Sequence, residues 1–127
     1  MDYRVSLSNY KDDKYYPKVA CAVSDILENS GTVRTVDVFK KIGVLTDASH
    51  KKWQDGHVGC LEQVIDCNLS KANRIISILG FHAHDLNMGK SLGFVKRKGK
   101  VLRFTKSGVK KGEELYARQF FVIGEKC

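Results

Sequence analysis

Between Leu86 and Gly112 the chain has no acidic residue, although it carries 14 of them elsewhere. It also lacks any apolar run near the roughly 20 residues that a bilayer-spanning helix needs, so no membrane partner is expected. No apolar stretch follows Met1-Asp2-Tyr3-Arg4-Val5, so the start does not read as a secretory signal and a cytoplasmic location is expected. There is no C-x-x-C pair, no H-E-x-x-H helix and no glycine-rich phosphate loop. These absences speak against a zinc site and against a nucleotide-binding P-loop. Internal repeats and low-complexity linkers are missing too, so residues 17–127 are expected to form a single α+β domain behind a polar, tyrosine-rich arm at 1–16.

The missing acids give the charge its meaning. The formal net charge is +8, with 22 Lys and Arg. Nine of them are Lys90, Lys96, Arg97, Lys98, Lys100, Arg103, Lys106, Lys110 and Lys111. The other 13 basic residues are outnumbered by the 14 acids, so the surplus belongs to one local segment. Such asymmetry points to a polyanionic partner more than a uniformly basic surface does.

Most of the chain reads as helix. Pro17 suits a first helical turn, and Val19, Ala22, Val23, Ile26 and Leu27 recur at helical spacing over 17–29. Thr35 is expected to cap a short helix through Ile42 that Gly43 ends in a left-handed conformation. Thr46 or Asp47 caps another to Gln54, with Gly56 as its terminator. Val58, Leu61, Val64 and Ile65 predict a helix ending near Cys67. After Asn68 or Ser70 as cap, Ala72, Ile75, Ile76, Leu79, Ala83 and Leu86 form one apolar stripe over 70–86, with Ile78 and Phe81 on the opposite side near Arg74. Residues 91–106 change to a strand pattern. "LGFVK" and "VLRFT" flank "RKGK", and a three-residue loop containing Gly99 would gather Leu92, Phe94, Leu102 and Phe104 on one face. A short helix over 112–119 and a strand at "QFFVI" close the chain. The expected fold is α+β: a mainly helical core of about five helices, a basic antiparallel β-hairpin and a short C-terminal helix and strand.

Two segments suggest nucleic-acid contact. Residues 35–54 have the outline of a helix-turn-helix, whose second helix offers Lys51, Lys52 and Gln54. In the hairpin, Lys96, Arg97, Lys98, Lys100 and Lys106 can track a phosphate backbone, and Arg103 can pair bidentately with a phosphate or a guanine. A two-stranded ribbon fits a DNA groove, which puts DNA ahead of RNA as the expected partner. Phe94 and Phe104 alternate with the charges and are expected in the core. Lysines on an edge hairpin also serve to prevent aggregation, so charge alone does not decide. A protein partner with an acidic surface, or a second copy of the chain, is the alternative, suggested by Phe81, Tyr10, Tyr15 and Tyr16.

Chemistry has less support. Cys21, Cys60, Cys67 and Cys127 are expected as reduced thiols. His57 and Cys60, at i and i+3, face one side of the expected helix with Cys67, but a buried thiol row explains them, and His82 and His84 point apart. Cys60 with His57, or a cysteine with His82 or His84 and Asp85, would need an oxyanion site that spacing does not supply. The pairs Asp12-Asp13 and Glu113-Glu114 read as solvated. No catalytic residue, metal ligand or cofactor is expected, and the protein reads as a non-enzyme.

"CLEQVIDCNLSKANRIISIL", "LRFTKSG" and "EELYARQFFV" resemble a group of small bacterial proteins of uncharacterised activity. The shared features are a leucine-rich helix, an N-L-S-K helix start, a basic hairpin and a terminal Tyr-containing segment, spanning about residues 33–122. The resemblance implies a bacterial or phage-like source and no particular mechanism.

Overall fold

A computed structural model describes residues 9–66, 69–106 and 108–122, without the side chains of Leu69 and Arg97. Expectations for residues 1–8, Cys67, Asn68, Ser107 and Cys127 lie outside these residues. The chain folds as α+β with a mainly helical core, as its patterning predicts.

Helix α1 runs Tyr16–Asn29, with Pro17 in its first turn and Val19, Ala22, Val23 and Ile26 buried. Strand β1, Thr32–Arg34, leads directly into α2, Thr35–Ile42. Thr35 is not the cap: it is the first helical residue, buried, and its hydroxyl donates to the Arg118 carbonyl at 3.0 Å. Gly43, at φ 98°, ends α2, with Val44 N–H returning to the Phe39 carbonyl at 3.0 Å and Gly43 N–H to Lys40 at 3.2 Å. Helix α3 spans Asp47–Gln54, and the Thr46 hydroxyl caps it by accepting from Ser49 N–H at 3.0 Å.

The helix expected over 58–67 is absent from the described part of that segment. Only a single 3-10 turn forms, Leu61–Gln63, preceded by an extended Cys60. The cause is a non-local pairing. Leu61 and Glu62 donate their N–H groups to the carbonyls of Arg103 and Phe104 at 3.1 and 2.9 Å, and so cannot serve a local helix.

Helix α4, Leu69–Asp85, buries Ala72, Ile75, Ile76, Leu79 and Ala83 on the predicted stripe. Leu86 lies past its end and is exposed. Ile78 is fully buried on the other side and Phe81 packs 5.9 Å from the Tyr10 ring, so the helix is covered on two sides. Within the expected polar arm of 1–16, Tyr10 is packed into the core. It is 1% exposed, opens a 3-10 turn over Tyr10–Asp12, and its hydroxyl donates to Asp85. Asp13 is not solvated either: its buried carboxylate takes the Arg74 Nε–H and the Tyr15 N–H.

Strand β2, Gly89–Leu92, is followed by β3, Lys96–Arg97, and β4, Lys100–Val101. Helix α5, Lys110–Ala117, runs straight into β5, Arg118–Phe121. β5 is the centre of an antiparallel sheet ordered β1-β5-β2, with Val33 opposite Phe120 on one side and Lys90 opposite Phe120 on the other. The hairpin β3-β4 stands apart as its own two-stranded sheet. "LGFVK" therefore divides: Leu92 pairs with Arg118 and Lys96 with Val101.

His82 sits half-buried on α4 between the Tyr10 and Tyr16 rings, at 6.4 and 5.6 Å, and its Nδ1 is buried without a hydrogen-bond partner among the described residues. Burial lowers its pKa from the ordinary 6.5, opposed by the Asp85 carboxylate. A histidine whose folded pKa is depressed binds its proton more readily in the unfolded chain, so stability is complete above pH 6.5 and declines as pH falls below it. Thermal melts across that window are expected to show a falling Tm, and His82→Phe is expected to flatten the fall. An equally steep dependence in the variant would assign it elsewhere.

Candidate nucleic-acid interface

The hairpin turn is built by two residues, not three. Lys98 and Gly99 both have positive φ, 52° and 81°, the combination of a type I′ turn, and Arg97 pairs with Lys100 directly across it. This register disperses the apolar face expected for the longer loop. Leu92 and Phe94 are 44% and 42% exposed, Leu102 is half-buried, and Phe104 is 1% exposed in the core. One pair beyond the strands, Leu102 N–H still donates to the Val95 carbonyl at 2.8 Å.

Lys96, Lys98, Lys100, Arg103 and Lys106 are all exposed, and Arg97 lies beside the turn in the backbone ladder. Among the described residues no carboxylate is ion-paired with Lys96, Lys98, Lys100, Arg103 or Lys106. Arg103 is partly committed, because its guanidinium donates back to the Lys106 carbonyl, folding over Gly108. The remaining N–H groups of that fork are what a phosphate would meet.

Below the turn the hairpin root is clamped. Glu113, expected to be solvated, is half-buried. Its carboxylate accepts from Phe104 N–H at 2.9 Å, Thr105 N–H at 2.8 Å and the Thr105 hydroxyl at 2.6 Å. Glu62 accepts from Lys106 N–H at 2.8 Å and from the Tyr116 hydroxyl at 3.3 Å. From the other side the Trp53 indole Nε1–H donates to the Arg103 carbonyl at 2.7 Å, and its ring lies 5.0 Å from that of Phe104.

Trp53 thereby brings α3 to the hairpin. Of the cations on that helix, Lys51 is exposed but paired with Asp55 at 3.3 Å, and Lys52 is exposed. No expectation attaches to Trp53 from the sequence, yet it is the one large apolar side chain in "DASHKKWQ" and so the only candidate for that helix's anchor.

Where α3, the strand connection and β5 meet, a cleft of about 290 Å³ opens. Its polar lining includes Arg34, His50, Gln54, Arg118 and Gln119, and its aromatic lining includes Phe94. His50 stacks on Trp53 at 5.9 Å, and its Nδ1 lies 3.3 Å from the Lys40 ammonium, which also pairs with Asp47 at 2.9 Å. An ammonium only donates, so Nδ1 is the acceptor and Nε2 carries the proton. Burial first, then Lys40, holds the His50 pKa below the usual histidine value, which keeps the ring neutral. The Arg118 guanidinium rests against Gly80 of α4, where a Cβ would come within 2.8 Å of it, and burial lowers its pKa.

Cys60 is buried while His57 is exposed, His82 faces tyrosines, and no group of three potential metal ligands exists among the described residues. No protein-family model, curated protein sequence or solved structure matches this chain.

The Glu113 clamp can be tested by its energy. Glu113→Ala leaves two partly buried N–H groups without acceptors and is expected to cost about 3 kcal/mol, each orphan contributing roughly 1–3. Glu113→Gln, which keeps one acceptor oxygen, is expected to cost about half as much. Urea unfolding of both variants measures this, and a loss under about 1 kcal/mol in Glu113→Ala would mean that water replaces the carboxylate.

Proposed function

We propose that this protein binds nucleic acid without catalysing a reaction on it, holding phosphates with the basic hairpin. The observation that carries the reading is the acid-free run of 86–112, in which Lys96, Lys98, Lys100, Arg103 and Lys106 are exposed and have no carboxylate partners among the described residues. Lys98 and Lys100 at the turn are the first contacts, with Lys96, Arg97, Arg103 and Lys106 along the ribbon. Lys52, and Lys51 once released from Asp55, extend the surface onto α3. Each phosphate neutralised releases condensed counterions, so affinity from this source is steep in salt and weak in sequence preference. The aromatic residues that suggested a docking protein give that alternative no support, because Tyr10, Tyr15, Tyr16 and Phe81 pack within the chain.

Anisotropy titrations with labelled DNA and RNA over a range of salt test the reading. The logarithm of the association constant is expected to fall linearly with log salt. Reversal of both Lys98 and Lys100 to Glu is expected to weaken binding at least about tenfold and to lower the slope by about two. Absence of binding at low salt, or binding indifferent to the reversal, refutes the proposal.

A further inference from the structure

The two phenylalanines of the basic segment have different fates. Phe104 is the floor of the hairpin root, 1% exposed, stacked on Tyr116 at 6.2 Å and met by a tilted Trp53 ring at 5.0 Å. Phe94, ten residues earlier, leans on Phe104 with ring centroids 6.4 Å apart yet stays 42% exposed. Its position is not adjustable at will. The preceding Gly93 donates its N–H to the Ala117 carbonyl at 2.8 Å, and the Gln119 amide lies so close that a Cβ on Gly93 would come within 2.4 Å of its Oε1. A backbone held at Gly93 and a ring supported by Phe104 present Phe94 at the wall of the 290 Å³ cleft.

We propose that the ligand is single-stranded nucleic acid, one unpaired base of which enters this cleft and stacks on Phe94 while the hairpin cations hold the flanking phosphates. The inference rests on the nucleic-acid reading and adds to it the form of the strand. In a duplex both faces of every base are covered by its neighbours, so an aromatic wall has nothing to stack on. A splayed base of a single strand offers its whole face. An exposed aromatic beside a cationic track is the combination by which single strands are held with little sequence preference. The cleft also supplies groups for a base edge. Gln54 and Gln119 carry amides, and the His50 Nε2–H is a donor. Arg34, 64% exposed and only loosely paired with Asp37 at 3.9 Å, adds a cation at the rim for an adjoining phosphate.

The test compares fluorescein-labelled oligo(dT), oligo(rU) and a DNA duplex of the same length, with wild-type protein, Phe94→Ala, Phe94→Tyr and the Lys98→Glu/Lys100→Glu double variant. Phe94→Ala is expected to weaken single-strand binding about tenfold, the effect of losing one stacked base, and to leave duplex binding unchanged. Phe94→Tyr, which keeps the ring, is expected to restore it. Thermal melts of each variant confirm folding, which the exposure of Phe94 favours. Duplex bound as tightly as the single strands, or Phe94→Ala indistinguishable from wild type while the charge reversal abolishes binding, overturns the stacking proposal and leaves the phosphate reading standing. Loss of neither strand form on charge reversal removes both. Preference between the DNA and RNA single strands reports which sugar the cleft's rim tolerates, and tight binding of either one supports the proposal.

Discussion

The carboxylate of Glu113 holds together the root of the hairpin, on which the proposed nucleic-acid contact rests. By accepting from two successive backbone N–H groups and one hydroxyl, it fixes Phe104 and Thr105 where no strand partner exists to satisfy them. The carbonyls of Arg103 and Phe104 are in turn taken by Trp53, Leu61 and Glu62. A charge-assisted contact of this kind is worth more than a neutral hydrogen bond, and its loss orphans donors in a partly dry place. Without it, the root of the hairpin, the anchor of α3 and the 3-10 turn at Leu61–Gln63 would all lose their shared support.

That clamp explains how so short a hairpin can be ordered. A two-stranded ribbon with only two residue pairs is marginal on its own. Here it grows out of a segment pinned from three directions, so the entropy of ordering its base has already been met by the fold. The like charges crowded near its tip repel one another, and this self-repulsion is a cost that a polyanion relieves on binding. A type I′ turn with lysine in the left-handed position adds to that cost, since the side chain there is sterically disfavoured relative to asparagine or glycine.

Local chemistry was readable where local chemistry decides. The Thr46 cap, the left-handed Gly43, the Pro17 start and the stripe from Ala72 to Ala83 place four helices because caps and periodicity act within a few residues. Long-range pairing decided the rest. Val58, Leu61, Val64 and Ile65 have helical spacing, yet the N–H groups of Leu61 and Glu62 are claimed by carbonyls some forty positions away, which no window of sequence reveals. Likewise the hairpin register turned on the backbone of Lys98, a residue with no special preference for positive φ. Strand β1 escaped notice because its three residues are too few for alternation to show. Of the candidate site, the cations were legible as a block, since charge needs no geometry. The cleft was not, because Arg34, His50, Phe94 and Gln119 come from four separate stretches of chain that meet only around β5 and the hairpin root.

The charge and the cleft constrain each other. Lysines on a hairpin edge suffice to prevent edge-to-edge pairing, and that purpose alone would explain an exposed basic ribbon. It would not explain a large aromatic ring left open beside it, because an exposed phenylalanine raises the hazard that the lysines reduce. Its ring leans on Phe104 and lines a cleft that also holds polar side chains, a step along the chain from the segment that carries the surplus positive charge. A ligand that is at once polyanionic and flat-faced resolves both features, and of the common polyanions only a nucleic acid with its bases unpaired has that character.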